Sequence, residues 1–83
     1  MTTAHTLTLQ YFALFREQAG KREETLTTSA RTPRELYVEL AARYGFKLTE
    51  AQLKVAINNE FGAWTQTLKQ GDTVAFIPPV AGG

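Results

Sequence analysis

The chain contains no cysteine. Disulfides are therefore excluded, and with them thiolate nucleophiles, Cys-based metal sites and persulfide carriage on a side chain. Histidine is almost missing: His5 stands alone, with no second His or Cys to share a metal, so no metal site is expected. No apolar run approaches membrane-spanning length. The opening "MTTAHTLTLQ" lacks both a basic and an apolar signal-peptide region. A dominant charge is missing too. Nine Lys and Arg against eight Asp and Glu leave a net charge of +1, which gives no electrostatic reason to expect nucleic acid or an anionic membrane as partner. Small secreted domains usually need staples that this chain lacks, so a cytoplasmic location is expected.

What is present suits one small globular unit. With 83 residues, 43% apolar and 20% charged, the chain is expected to form a single domain with a thin core. "TLTLQYF" alternates, placing Leu7, Leu9 and Tyr11 on one face of a strand and Thr6, Thr8, Gln10 and Phe12 on the other. "ALFREQAG" predicts a short helical turn closed by Gly20, and "EETLTT" a Thr-rich strand near a sheet edge. "TPRELYVELAARYG" predicts the main helix: Thr32 caps, Pro33 takes the first helical position, Glu35 completes a capping box and Gly45 stops it. Its stripe is Leu36, Leu40 and Tyr44 with Tyr37 and Ala41, while Arg34, Glu35, Glu39 and Arg43 face water. "KVAINN" reads as a strand and "NNEFG" as its turn. "WTQTLKQGD" reads as a loop with room for a short strand, shaped at its end by Asp72. "DTVAFIPP" is the last strand, apolar on both faces.

One helix can cover only one face of such a sheet. A last strand lying parallel beside the first, in the sheet centre, would give an α+β β-grasp, or ubiquitin-like, fold with four to five strands on one main helix. The helix stripe then packs on Leu7, Leu9, Tyr11, Leu26, Val55, Ile57, Val74 and Phe76. Phe12, Ala75 and Ile77 are left on the open face, with Phe61 beside them, as a partner-binding surface.

Scarce residues gather at the end. Two of the three prolines, Pro78 and Pro79, are adjacent, and two of the six glycines are Gly82 and Gly83. The prolines end the ladder and hold the chain extended. Residues 80–83 are expected to form a protruding tail reaching about 13–14 Å. Glycine at its tip would not obstruct a narrow channel. The Gly83 carboxylate is a poor electrophile at neutral pH, so acyl chemistry there requires activation, most simply as a mixed anhydride with AMP.

"VAFIPPVAGG", together with "YFALFREQAG", "TPRELYVEL" and "VAINNEF" in the same order and spacing, resembles the small subunits of molybdopterin synthase, β-grasp sulfur carriers of the MoaD type. The resemblance covers essentially the whole chain. It implies that a ubiquitin-activating-type enzyme uses ATP to adenylate Gly83 and that a sulfur donor converts the adenylate to a thiocarboxylate. The tail, Pro78, Pro79, Val80, Ala81 and Gly82, then enters the large synthase subunit, where sulfur passes to precursor Z (cyclic pyranopterin monophosphate). It also implies a heterotetramer of two small and two large subunits, docking through Phe12, Phe61 and Ile77, and no permanently bound cofactor. The small subunit is then not an enzyme on its own; the active-site pocket belongs to the large subunit.

Other readings stay open. The same fold could carry sulfur for thiamine or another thio-cofactor, although the Pro-Pro-Val step favours the molybdenum branch. A ubiquitin-like modifier would form isopeptides through Gly83, and a plain interaction module would carry an inert tail. An autonomous enzyme lacks a nucleophile, general base or metal cluster away from the terminus.

Overall fold

A computed structural model describes residues 4–78. Strand β1 (His5–Tyr11) leads into the short helix α1 (Leu14–Ala19), strand β2 (Glu23–Thr28) and the main helix α2 (Pro33–Tyr44). A 3₁₀ turn (Glu50–Gln52) precedes β3 (Lys54–Ile57), β4 (Glu60–Gly62) and β5 (Thr73–Ile77). The five strands form one sheet in the order β2-β1-β5-β3-β4. β1 and β5 are parallel at its centre, and the other pairings are antiparallel. With α2 crossing one face, this is the β-grasp arrangement expected from the pattern.

The start of α2 shows a difference in detail. Thr32 Oγ1 accepts from the Glu35 amide at 3.3 Å, as a cap should, but the Glu35 carboxylate accepts from the Arg31 amide at 2.8 Å rather than from Thr32. The reciprocal half of the box is therefore shifted one residue outward. On the 3₁₀ turn the Gln52 side chain does reach back to its cap residue, accepting from the Thr49 amide at 2.9 Å. Glu39, expected in water, is half-buried because the Thr28 hydroxyl donates to it at 2.5 Å, tying β2 to α2. Gly45 closes α2 in the left-handed region at φ 77°, as predicted.

All eight residues expected under the helix stripe are buried, Leu7, Leu9 and Val74 completely. Burying each larger apolar side chain contributes about 1.5–3 kcal/mol. The core also takes in Phe15, Phe46, Leu53 and Leu68, which periodicity did not reveal because they come from a one-turn helix and connectors. Phe15 and Phe46 pack with centroids 4.6 Å apart. The segment after β4 holds no strand; it is strapped across the end of α2 by Leu68 N–H donating to Arg31 O at 2.8 Å. Trp64 in that segment stacks on Phe76 at 5.6 Å, closing the helix layer at one end.

β4 lies where a turn was expected. Asn58 and Asn59 both take positive φ (53° and 70°), the primed geometry of a two-residue hairpin loop. Glu60–Gly62 consequently turns back to pair with β3. The Asn58 side chain reinforces the corner, accepting from the Thr73 amide and donating to Asp72 Oδ1, both at 2.9 Å. Asp72 also accepts from the Lys69 amide at 2.9 Å, the turn-shaping role expected of it.

Candidate functional site: an open sheet face at the root of the terminal segment

The face not covered by α2 is built from alternate residues of the same strands. Across the sheet, Gln10 of β1 is opposite Ala75 of β5, Ala75 opposite Ala56 of β3, and Ala56 opposite Phe61 of β4. Two alanines on the central strands leave a low floor, and larger side chains stand around it. The result is a groove of about 210 Å³ lined by Gln10, Phe12, Ala56, Phe61, Ala75 and Ile77, with Asn59 at one end.

Phe12 is held there by the turn after β1. The strand stops at Tyr11, one residue earlier than the alternation suggested. Ala13 then takes φ 49° and ψ −123°, and the Phe15 amide donates to Phe12 O at 3.0 Å, which is the geometry of a type II′ turn. Phe12 is 40% exposed and Phe61 73% exposed, so both aromatic rings present area to solvent. Ile77 is half-buried. Ala75, expected as a contact residue, is only 5% exposed: its taller neighbours make it the floor of the groove rather than a projecting contact. Thus Phe12, Phe61, Ala75 and Ile77 do come together, and Gln10, Ala56 and Asn59 join them. Gln10 already shared the Phe12 face by alternation, and Ala56 was findable from the alternation of "KVAI"; Asn59 depends on the hairpin that joins β3 to β4.

Pro78, the last described residue, follows Ile77 directly and is half-buried. Pro79, Val80, Ala81, Gly82 and Gly83, the remaining predicted tail positions, lie outside the described residues.

The groove is backed by packed aromatic rings. Phe76 alternates with Ala75 and Ile77 and packs against Tyr37 at 5.1 Å and Trp64 at 5.6 Å on the helix side. The Tyr37 hydroxyl donates to Leu48 O at 2.6 Å, and burial pushes its phenol up from the ordinary value. At the other end of the sheet, Glu24 accepts from the hydroxyls of Tyr11 and, at 2.6 Å, Tyr44, with Lys21 Nζ 3.4 Å from its second oxygen. Burial opposes ionisation of Glu24, but the tyrosine hydrogen bonds and the Lys21 charge outweigh it and hold the carboxyl below its ordinary value. Burial first, and then the Glu24 carboxylate, push the Tyr11 phenol strongly upward.

Among the described residues no group of three or more His, Cys, Asp or Glu could hold a metal, and no helix is long and apolar enough to cross a membrane. His5 instead hydrogen-bonds Ala30 O at 2.7 Å. A five-stranded mixed sheet on one main helix, with an apolar groove beside the end of β5, defines a ubiquitin-like β-grasp module. The chain belongs to the ThiS family, which it matches over residues 9–83. It is similar to the molybdopterin synthase sulfur carrier subunit of Escherichia coli K12, with 33% identity over 76 residues, 88% of this chain and 94% of that protein. The subunit of the same name from Haemophilus influenzae is also 33% identical, over 93% of this chain and 99% of its own length. In the solved complex of subunits 1 and 2 of the molybdopterin-converting factor from Helicobacter pylori, the matching chain is 25% identical. That match has a TM-score of 0.63 and covers 94% of this chain and 99% of the other.

Proposed function

We propose that this protein is the sulfur-carrying small subunit of a molybdopterin synthase. The observation that carries the reading is the position of the apolar groove: Ile77 forms one of its walls and is also the last residue of the central strand that leads into "PPVAGG". A partner seated in the groove would thereby receive the terminal residues in a defined direction. The curated relatives of the same name, matched over nearly their whole length, support it.

In this reading an adenylating enzyme binds first. A Gly83 carboxylate oxygen attacks the α-phosphorus of ATP and pyrophosphate leaves. Sulfide sulfur from a donor then displaces AMP, giving the thiocarboxylate. After docking to the large subunit, the thiocarboxylate sulfur displaces an oxygen substituent from a carbon of precursor Z, the oxygen leaving as water once protonated. Hydrolysis of the resulting thioester returns the Gly83 carboxylate and leaves the sulfur on the pterin as a thiol. The small subunit supplies no acid or base: it contributes a docking face, reach, and a terminus with no side chain to block approach. Two small and two large subunits would form the working assembly. The location would be cytoplasmic, where ATP is at hand.

The test is intact-mass spectrometry of the protein from its own cells, combined with ATP–pyrophosphate exchange by its adenylating partner. The expected results are a mass gain matching one oxygen replaced by sulfur, and loss of exchange when Gly83 is removed. Normal exchange by the truncated chain would refute the proposal, and isopeptide-linked adducts without any thiocarboxylate would identify a protein modifier instead.

A further inference from the structure

Beside the groove is a second hollow that the sequence pattern did not indicate. It measures about 400 Å³, and its wall includes Ala51, Leu53, Lys54, Phe61, Ile77 and Pro78. Phe61 and Ile77 also line the groove, so they form a ridge between two apolar depressions. Lys54 is directly opposite Ile77 in the β3–β5 pairing and supplies the one charge in this wall. Its Nζ sits 5.7 Å from the centroid of the Phe61 ring, and none of the ion pairs among the described residues includes it.

We propose that this hollow is a second docking subsite, which takes an apolar side chain of the partner together with a carboxylate that pairs with Lys54. The inference rests on the docking reading above and specifies the partner's chemistry. Continuity is its first support: a protein covering Phe61 and Ile77 from the groove side reaches the hollow across the same ridge. Charge is its second. Covering this face removes water from the Lys54 ammonium, and an ammonium that loses water without a counter-charge is strongly disfavoured. A partner that seats here therefore brings an acid to Lys54. Pro78 completes the wall five positions before the C-terminal Gly83, so an anchor in the hollow sets the direction in which the terminal segment leaves.

The test uses the full chain and the synthase large subunit, with dissociation constants measured at low and high salt. Lys54→Met keeps the apolar stem and removes the charge; it should weaken binding about two- to fivefold and flatten the salt dependence. Lys54→Glu should weaken binding about tenfold or more, since like charges then meet. Both variants should melt like the parent because Lys54 is exposed. Phe12→Glu serves as the control for the groove. If Phe12→Glu abolishes binding while Lys54→Glu binds as the parent does, the docking reading stands and the Lys54 subsite is refuted. Tighter binding by Lys54→Met would also refute it, since the ammonium would then be unpaired in the complex. Should Phe12→Glu itself bind normally, the docking face is misassigned and the subsite falls with it.

Discussion

The two faces of the sheet are made by alternate residues of the same strands, yet they are chemically unlike. Under α2 the row is Leu9, Val74 and Ile57, all at most 5% exposed. On the other side β2 and the start of β1 offer Thr6, Thr8, Thr25, Thr27 and Glu23, whereas β5, β3 and β4 offer Ala75, Ile77, Ala56 and Phe61. An open face needs only polar side chains to remain in water, and half of this one follows that rule. The apolar half lies next to the terminal segment, where a solvent-facing sheet has no structural need for it. One face therefore holds the fold and part of the other is available to a partner.

Four substitutions probe that division, from the largest expected loss of stability to the smallest change. Phe76→Ala empties the ring that Tyr37 and Trp64 pack against and should cost about 3–5 kcal/mol in urea unfolding. If the loss stays below about 1 kcal/mol, the helix-side layer is not the core. Glu24→Gln removes the charged acceptor of two tyrosine hydroxyls and should cost about 1.5–3 kcal/mol at neutral pH. The folded-state pKa of Glu24 is lowered, so its contribution is present above the unfolded value, about 4.3, and is lost as pH falls through the folded value. The gap between parent and Glu24→Gln should accordingly be full at neutral pH and narrow as pH falls below about 4.3. A gap that is constant with pH would mean that Glu24 acts through packing alone.

Ala13→Gly tests the corner that presents Phe12. A φ of 49° suits glycine better than alanine, so the change should stabilise by about 0.5–1 kcal/mol. Destabilisation would rule out the II′ turn. Phe12→Glu should alter stability by less than about 0.5 kcal/mol, as at an ordinary surface site, and yet abolish large-subunit binding. That outcome separates the faces most sharply. Collapse of the melting transition would place Phe12 in the core.

Elements whose signal is local were legible in advance. The α2 cap at Thr32, its stop at Gly45 and its stripe all follow from residues within a turn or two of one another. The eight core residues followed from period-two alternation and the helix stripe together. β4 was not legible, because a three-residue strand has too short a pattern and exists only through pairing with β3. Phe15, Phe46, Leu53 and Leu68 were missed for a related reason: Phe15 lies in a helix of only six residues and the others in connectors, where no period can be counted.

For the candidate site, the sequence alone determined which residues leave the helix-covered face. Strand alternation is a covalent consequence of the backbone, so Phe12, Ala75 and Ile77 could be assigned without knowing their neighbours. Only the tertiary structure decided what those residues make together. Parallel pairing of β1 with β5 and antiparallel pairing of β3 with β5 set Gln10, Ala75, Ala56 and Phe61 in one row, sank Ala75 to the floor, and brought Lys54 beside Ile77. Those contacts join segments as many as 65 positions apart, as from Gln10 to Ala75, and they come from burial shared by the whole sheet rather than from any preference within a single strand.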